Sequence, residues 1–469
     1  MTWDELCYQP ATDLAARVRA RELSPVEVVD AFLARIERIN PALNAYCTVT
    51  ADLARTEARR IEAAIQRGED VGPLAGVPVS IKDLLITKGI RTTRGSRLFA
   101  DAVPTEDAPV VERLRAAGAI SLGKTNTPEF GWKGVTDNRL FGITRNPWNR
   151  ERTPGGSSGG AGAAVAAGLG PLAIGTDGGG SIRIPSSFCG IFGLKPTFGL
   201  VPAYPPSWAE ALAHTGPMTR TVRDAALLLN VIAGYDPRDR NSFPTGSVDY
   251  LDGIGSGIRG VRVAWSPDLG YATVDPEVAQ ACERAVRQFD ALAGAVETAS
   301  PGFADVGRPW EILFYGAIAA AIDQLPAIWE DQIDPGLVGL VQRARSWTAF
   351  EHAQAFLART RVYDAMRRFF ERYDLLLTPS IAVPPFEVGI NTPREIAGQS
   401  ADGLSWSPFT LPFNLTGQPA ATVPCGWTAD GLPIGLQIVG RRHEDALVLR
   451  AAAAFETAAP WAGRRPDLL

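Results

Sequence analysis

The amino-acid sequence predicts an α/β fold, in which one large domain holds a mixed, mainly parallel β-sheet covered by helices on both sides. Two observations support this fold class. From about residue 75 onward, short apolar runs alternate with helical segments, which is typical of a sheet buried on both faces. Apolar residues make up 46% of the 469 residues and charged residues 21%, an ordinary balance for a globular chain with a large core.

The first 70 residues have helical patterns. Ser24 to Glu27 form a capping box with proline at the first helical position, and apolar residues then recur every three or four positions. We expect this helix to stop at Asn40-Pro41. Residues 54–67 predict a second, charge-rich helix.

The rest of the chain supports one domain with four parts. These are amino-terminal helices (1–70), a core (71–235), a variable helical cap (301–372) and a carboxy-terminal part of the core (373–469). The cap is expected because its residues are rich in Ala, Trp, Phe and Leu. The last part returns to strands in A-A-T-V-P-C-G and P-I-G-L-Q-I-V-G and closes with a helix over 444–457.

Composition excludes several classes of partner. A net charge of −5 and a pI near 5.5 disfavour binding to nucleic acid. The five cysteines are scattered and lack a C-x-x-C pair, which predicts reduced thiols and a cytoplasmic location. Since neither a secretory signal nor an apolar run of about 18 residues is visible, we expect no membrane partner.

Residues 118–125 match a phosphate-binding loop in form only. That loop requires a flexible turn and a helix that begins at its Lys-Thr pair. Here the variable positions read Ala-Ile-Ser-Leu, and Asn126-Thr127-Pro128 is a poor helix start. We interpret these residues as a buried strand that ends in a polar loop.

The stretch T-P-G-G-S-S-G-G at 153–160 contains two overlapping G-x-S-x-G patterns, around Ser157 and Ser158. In a Ser-His-Asp α/β-hydrolase such a serine directly follows a strand. Residues 145–154 are too rich in proline and charge for a central strand, so the context disfavours this alternative. Three histidines could complete such a triad: His214, His352 and His443.

A glycine-rich turn is predicted after the buried strand at 171–175. Three glycines precede Ser181, and consecutive N–H groups of such a turn can point into one anion-binding concavity. A plain connection between a strand and a helix would have the same composition.

Lys82 ends the run G-V-P-V-S-I-K-D, in which Val77, Val79 and Ile81 share one face of a strand and direct Lys82 to the other. Lysines in such places usually extend to the surface. If this one is buried, desolvation lowers its pKa from about 10.4 and makes it a candidate base.

Taken together, these runs closely resemble the amidase-signature family of serine hydrolases, and within it the stand-alone bacterial amidases. The likeness is strongest in three runs: G-G-S-S-G-G at 155–160, G-T-D-G-G-G-S-I-R at 175–183 and G-L-K-P-T at 193–197. It extends nearly end to end, through the runs at 74–83, 123–130, 216–224, 413–420 and 431–440.

The resemblance implies the amidase signature fold and a Ser–cisSer–Lys triad. The matching residues are Ser181 as nucleophile, Ser157 as bridging serine after a cis peptide bond from Gly156, and Lys82 as base. The implied oxyanion hole consists of the backbone N–H groups of Gly178, Gly179, Gly180 and Ser181. We expect Asp177 and Arg183 to form a structural ion pair and Ser158 to give local support. The family often has threonine where Gly178 stands.

The predicted activity is hydrolysis of the C–N acyl bond of a small apolar or aryl amide, with esters and carbamates open to the same mechanism. Neither a cofactor nor a metal is expected, the partner is a small-molecule amide, and a homodimer is left open. Residues expected near the substrate are Gly131, Trp132, Lys133, Trp406 and Phe409.

A second alternative is the amidase subunit of a glutamyl-tRNA(Gln)-type amidotransferase. Such subunits usually have G-K-T-N-M-D-E-F, whereas residues 123–130 read G-K-T-N-T-P-E-F. A non-catalytic homologue is disfavoured because all three triad positions are filled.

Overall fold

A mixed, eleven-stranded β-sheet organises the chain. The structure is a computed structural model that describes residues 2–246, 248–325 and 329–468. In spatial order the strands are β1 (Tyr46–Val49), β3 (Ile120–Thr125), β2 (Pro78–Lys82), β6 (Leu172–Asp177), β8 (His214–Thr219), β7 (Phe192–Lys195), β14 (Ala420–Trp427), β15 (Pro433–Gly440), β11 (Leu375–Pro379), β9 (Val263–Trp265) and β10 (Val296–Thr298). Two small ribbons pair β4 (Asp137–Asn138) with β5 (Gly142–Ile143) and β12 (Glu395–Ile396) with β13 (Gln399–Ser400).

Parallel pairing is confined to two blocks of this sheet. Strand β2 lies parallel to β3 and β6, and β9 lies parallel to β10 and β11, whereas the other neighbours are antiparallel. Strands β14 and β15 are antiparallel because a short turn joins them, and a parallel pair would need a long crossover. The predicted α/β domain with a mixed sheet flanked by helices is confirmed.

Helices lie along the whole chain. They are α1 (Trp3–Leu6), α2 (Ala11–Arg19), α3 (Pro25–Leu43), α4 (Ala51–Gln66), α5 (Pro109–Ala116), α6 (Gly159–Ala166), α7 (Arg183–Cys189), α8 (Val222–Ile232), α9 (Pro276–Ala293), α10 (Gly307–Ile322), α11 (Trp329–Gln332), α12 (Pro335–Ala344), α13 (Ala349–Arg372), α14 (Leu411–Thr416) and α15 (Asp445–Ala458). Short 3₁₀ turns cover Arg97–Phe99, Glu129–Gly131 and Glu210–Leu212.

Two groups of helices cover the sheet. Helices α6 and α7 pack against each other, with α6 on β2 and β6 and α7 on β14 and β15. Helices α8, α9 and α15 form a second group, also packed on the sheet. All residues of α6 are glycine, alanine or valine, and a Cβ at Gly160 would lie only 2.4 Å from the backbone nitrogen of Asn126. The small residues therefore let the backbone of α6 lie close to the sheet.

The amino-terminal part differs from the prediction in two ways. Helix α3 continues past Pro41 to Leu43, and Asn44 ends it in the left-handed conformation with φ 53°. A proline in the last turn costs little here, because the N–H of Asn44 still donates to the carbonyl oxygen of Asn40 at 2.7 Å. Strand β1 was missed, since four residues between two helices give too short an alternation to detect.

The zone proposed as a helical cap, residues 301–372, contains α10 to α13. Residues 326–328 of this zone lie outside the described residues. The apolar side chains of these helices form a core of their own, in which Trp310, Phe314 and Leu337 pack with Phe130 and Leu411 from the main body. The cap is thus fixed to the body by the same kind of apolar burial that holds the sheet together.

The stretch that matches a phosphate-binding loop forms β3, as the sequence predicts. Lys124 is buried there and donates to the hydroxyls of Thr87 at 2.8 Å and Thr92 at 3.0 Å. Its ammonium group is therefore held inside the protein and does not face a ligand.

Candidate active site

Lys82 lies at the carboxyl end of β2, between β3 and β6, and its side chain has no exposed surface. Its Nζ donates hydrogen bonds to Ser157 Oγ at 2.7 Å, Ser158 Oγ at 2.9 Å and Thr176 Oγ1 at 2.9 Å. The surface alternative for this lysine is therefore wrong. Three hydroxyl groups, rather than a carboxylate, surround the amine.

The pKa of Lys82 lies well below its ordinary value, because burial removes the water that would stabilise the ammonium form. The carboxylate of Asp177 opposes this shift, but its effect is the smaller one. A lysine with a lowered pKa holds a larger neutral fraction near pH 7, and the neutral amine has a lone pair that can accept a proton.

The peptide bond between Gly156 and Ser157 is cis. A Cβ at Gly156 would lie 2.7 Å from the backbone of Val135, so only glycine fits this close approach. Ser158 follows at the start of α6, where its N–H donates to the carbonyl oxygen of Ser181 at 3.2 Å. The backbone thus ties the paired serines to the glycine-rich turn that carries Ser181.

Ser158 has a larger part in the site than the sequence predicted. Its hydroxyl accepts from Lys82 and donates to the carbonyl oxygen of Thr176 at 3.1 Å. Both serines of the pair therefore contact the amine.

Ser181 follows β6 and precedes α7, at the wall of a cavity of about 200 Å³ that Ser157 also lines. Within the described part of the chain, the hydroxyl groups of Ser181 and Ser157 are not hydrogen-bonded to each other. The contact between Ser157 and Lys82 is formed, so one of the two contacts of the expected relay is present.

The glycine-rich turn before Ser181 is held from both sides. Trp310 Nε1 donates to the carbonyl oxygen of Gly178 at 2.8 Å, and Thr410 Oγ1 donates to that of Gly179 at 2.7 Å. The N–H of Gly180 donates to Asp177 Oδ1 at 2.7 Å, so it is already used. Gly180 therefore leaves the expected set of oxyanion donors. The N–H groups that remain from that set are those of Gly178, Gly179 and Ser181.

Asp177 and Arg183 form the expected ion pair, with 2.9 Å between Oδ1 and Nη2 and no exposure of either side chain. The guanidinium also donates to the carbonyl oxygen of Thr410 at 2.9 Å, Gln437 Oε1 at 2.9 Å and Asn414 Oδ1 at 2.6 Å. Although burial acts in the opposite direction, the charge of Arg183 holds the pKa of Asp177 well below its ordinary value. The pair connects the turn to α14 and β15.

The predicted substrate-contacting residues do not stay together. Gly131 lines the Ser181 cavity, next to Phe130. Trp132, Lys133 and Trp406 instead line a second cavity of about 570 Å³.

Local contacts explain these positions. Lys133 is paired with Asp137 at 2.8 Å and Asp334 at 3.2 Å, and the ring of Trp406 stacks on Phe188 with 6.0 Å between centroids. Phe409 is fully buried in an apolar cluster that includes Phe413. Its assignment as a substrate contact is therefore wrong.

Several residues that line the Ser181 cavity were not found from the sequence: Leu84, Arg94, Phe130, Trp208, Phe314 and Ile318. Phe314 and Ile318 are one helical turn apart on α10, so the apolar spacing of the cap could have indicated one wall. The segment around Trp208 has no periodic pattern, and its ring contacts Phe130 with 4.6 Å between centroids.

The histidines do not form a catalytic triad with Ser181. His214 lines the cavity, but its Nδ1 lies 2.8 Å from the carbonyl oxygen of Leu212 and 3.2 Å from that of Asp177, so this nitrogen is the protonated one. Burial and the nearby Lys195 charge lower the pKa of His214 well below its ordinary value. His352 and His443 are not among the residues that line the cavity; their rings contact Phe356 and Phe243.

Known proteins resemble this chain over nearly its whole length. The family profile described as Amidase matches residues 27–449. The chain belongs to the amidase family. It is 42% identical to an acylamidase of Rhodococcus erythropolis over 99% of this chain and 98% of the relative. It is 38% identical to the A-type component of the glutamyl-tRNA(Gln) amidotransferase of Carboxydothermus hydrogenoformans, over 99% of this chain and 100% of that one.

Solved structures of the same family superpose closely. A bacterial aryl acylamidase of the amidase signature enzymes gives a TM-score of 0.92 at 35% identity, with 97% of each chain covered. The 6-aminohexanoate cyclic dimer hydrolase gives 0.89 at 36% identity, covering 98% of this chain and 99% of the other. The amidase signature fold is therefore confirmed over nearly the whole length.

Metal clusters and membrane-spanning helices are both absent from the described residues. Across residues 2–246, 248–325 and 329–468, no three His, Cys, Asp or Glu side chains are grouped so that they could hold a metal ion. In the same ranges no helix has both the length and the apolar character needed to cross a membrane.

Proposed function

We propose that this chain hydrolyses the C–N acyl bond of a small amide through an acyl-enzyme on Ser181, with Ser157 as proton relay and Lys82 as base. The contact of 2.7 Å between Lys82 Nζ and Ser157 Oγ is the observation that carries the proposal. It joins a buried amine with a lowered pKa to a serine at the wall of the cavity that Ser181 lines.

The first half of the reaction forms the acyl-enzyme. Neutral Lys82 accepts the proton of the Ser157 hydroxyl, which takes the proton of Ser181 as its oxygen bonds to the substrate carbonyl carbon. The resulting oxyanion accepts hydrogen bonds from the backbone N–H groups of Gly178, Gly179 and Ser181. The C–N bond then breaks, and the proton held by Lys82 returns through Ser157 to the leaving nitrogen.

The second half releases the acid. A water molecule gives its proton to the same relay and attacks the ester carbon. The bond to Ser181 Oγ breaks, and the oxygen of Ser181 takes the proton back. Since the acyl-enzyme is an ester in either case, esters and carbamates are compatible with the same sequence of steps.

The walls of the cavity support an apolar or aryl substrate. Phe130, Trp208 and Phe314 supply aromatic surface, and Leu84 and Ile318 supply aliphatic surface. Ligand cavities of this kind bind mainly through apolar contact and use a few polar groups for orientation. The relatives named as acylamidases are consistent with such a substrate.

The decisive experiment compares wild-type protein and Ser181→Ala on para-nitroacetanilide. We expect turnover to fall by at least about 10³-fold with an unchanged melting temperature. Ser187→Ala is the control, since Ser187 is buried in α7 and is not among the residues that line the cavity. Near-normal turnover by Ser181→Ala would reject the assignment of the nucleophile.

The alternative function is that of the amidase component of a glutamyl-tRNA(Gln)-type amidotransferase, which the relative from Carboxydothermus supports by its full coverage. The motif G-K-T-N-T-P-E-F at 123–130 supports the hydrolase instead. Purified chain alone separates the two. Ser181-dependent hydrolysis of the anilide without partners supports the hydrolase, whereas activity only with glutamine-derived ammonia and an acylated tRNA supports the transferase.

A further inference from the structure

Arg94 places a positive charge at the wall of the Ser181 cavity. The residue lies in the loop after β2, where its N–H donates to the carbonyl oxygen of Asp83 at 3.1 Å. Its own carbonyl oxygen accepts from the N–H of Phe130 at 2.8 Å. The loop is therefore tied to the strand that carries Lys82 and to an aromatic residue of the same cavity.

Among the described residues, the guanidinium group of Arg94 forms neither a salt bridge nor a hydrogen bond. Its recorded contact is with the ring of Phe99, 4.9 Å from the centroid. The nearby carboxylate of Asp83 is used by the backbone N–H of Thr93 at 3.1 Å and by the hydroxyl of the same residue. By contrast, the half-buried Arg113 donates to the carbonyl oxygens of Ile232 at 2.7 Å and Tyr235 at 2.8 Å.

No other charge on the described wall of the cavity neutralises Arg94. The carboxylate of Asp177 also lines the wall but is paired with Arg183 at 2.9 Å. His214 is neutral, since burial lowers its pKa well below the ordinary value. The guanidinium stays charged near neutral pH, and partly removing it from water is costly unless an anionic oxygen binds it. Its fork of N–H donors matches a carboxylate.

We propose that Arg94 binds a carboxylate on the substrate, so that the preferred amides combine an apolar or aryl body with one anionic group. This inference rests on the proposed function, because it assigns the substrate class of the same cavity. Arg94 would contact the substrate but not the reacting atoms, so it sets specificity rather than the chemistry.

The test compares two matched substrate pairs. On the amine side the pair is para-acetamidobenzoate and para-nitroacetanilide, whose carboxylate and nitro groups have similar shape. On the acyl side the pair is the succinyl and butanoyl para-nitroanilides. The measured quantity is the ratio of kcat/KM for the charged member to that for the neutral member, which cancels general effects on the enzyme.

In Arg94→Gln this ratio is expected to fall about 10- to 100-fold in at least one pair, the range for a lost hydrogen bond to a charged group. Arg94→Lys keeps the charge without the fork and should fall less. The control is Arg97→Gln, three residues further in the same segment, whose side chain is exposed and which is not among the cavity-lining residues. Its ratio is expected to stay that of the wild type.

A measurement on the unmodified protein guards against a variant that does not fold. Benzoate should inhibit wild-type hydrolysis of para-nitroacetanilide more strongly than benzamide, and added salt should weaken that difference. Equal inhibition by both, or a ratio in Arg94→Gln within about twofold of wild type in both pairs, overturns the inference. If the wild type hydrolyses none of the four amides, the proposed function fails as well. If it hydrolyses the neutral ones through Ser181, only the assignment of Arg94 fails.

Discussion

The indole N–H of Trp310 donates a hydrogen bond of 2.8 Å to the carbonyl oxygen of Gly178. This contact joins the helical cap to the turn before Ser181, and a Cβ at Gly179 would lie 2.3 Å from the same indole ring. The cap therefore orients the peptide groups whose N–H groups face the reacting carbonyl.

Trp310→Phe keeps an aromatic ring but removes this donor. We expect kcat/KM to fall about 10-fold, because one neutral hydrogen bond of about 1 kcal/mol is lost where the donor geometry matters. Trp148→Phe is a matched control, since Trp148 Nε1 donates to the carbonyl oxygen of Cys189 at 2.8 Å and the residue is not among those lining the cavity. The two variants should lose similar stability in a thermal melt, but only Trp310→Phe should lose activity. Equal activities would show that the cap does not orient the turn.

The pH profile should depend on Lys82. Its pKa is lowered by burial, and the base must be neutral, so kcat/KM rises as pH increases through that pKa. Lys82→Ala should lower kcat/KM by at least about 10³-fold and remove this acidic limb. Lys82→Arg should do no better, because a guanidinium keeps its proton. A limb that persists in Lys82→Ala and disappears on substitution of His214, His352 or His443 would contradict the lysine base.

Ser158 should shift that limb without abolishing activity. Its hydroxyl accepts from Lys82 Nζ at 2.9 Å and so favours the ammonium form. Ser158→Ala removes the acceptor, which lowers the pKa of Lys82 further and moves the acidic limb to lower pH. We expect kcat/KM at the optimum to fall about 10-fold, against at least about 10³-fold for Ser157→Ala.

Ser80→Ala controls for this comparison. Ser80 is buried in β2, and its hydroxyl bonds to the carbonyl oxygen of Leu172, so its loss should leave the limb in place. A limb that moves to higher pH in Ser158→Ala would contradict the assigned direction of this hydrogen bond.

The ring of Phe314 fills the space that a side chain at position 178 would need. A Cβ at Gly178 would lie 2.6 Å from Phe314 Cε2. We expect Gly178→Thr to lower kcat/KM at least about 10-fold, since either the turn or the ring must move. Adding Phe314→Ala should restore part of that loss, so the double mutant would be more active than the two single effects combined predict. Strictly additive effects would mean that the ring and the turn do not interfere.

Asp177 should matter for stability. Asp177→Asn leaves Arg183 buried without its counter-ion, and we expect the free energy of unfolding to fall by about 3–5 kcal/mol. The folded-state pKa of Asp177 lies well below that of the unfolded chain, so its contribution is present above pH of about 4 and is lost as pH falls toward the folded value. Urea unfolding at pH 7 measures the loss. The exposed pair between Arg67 and Glu69 is the control, where Glu69→Gln should change little.

Local patterns predicted the parts of the site that lie close together in sequence. Val77, Val79 and Ile81 directed Lys82 to the opposite face, and the glycines around Ser157 indicated a close approach of the backbone. These inferences succeed because strand alternation and the lack of a Cβ are properties of the local chain.

Contacts between distant segments were the part that sequence reasoning could not supply. Trp310 meets a residue 132 positions away, and nothing in the composition of the cap selects that tryptophan from its neighbours. Trp406 and Phe409 were expected near the substrate on aromatic character alone, but burial in apolar clusters is the commoner use of such side chains. Arg94 was missed because a single charged residue in a loop carries no periodic signal.

The hydrogen bonds of Arg183 have a consequence for the order in which the protein matures. They reach Asn414 and Gln437, which are 231 and 254 residues later in the chain. A ribosome that has released every residue of the triad has therefore not yet made the groups that hold the guanidinium in place. Contacts of such long sequence separation form late and slowly. The nascent chain thus passes most of its synthesis as a hydrolase whose nucleophile exists before the surroundings that would make it reactive.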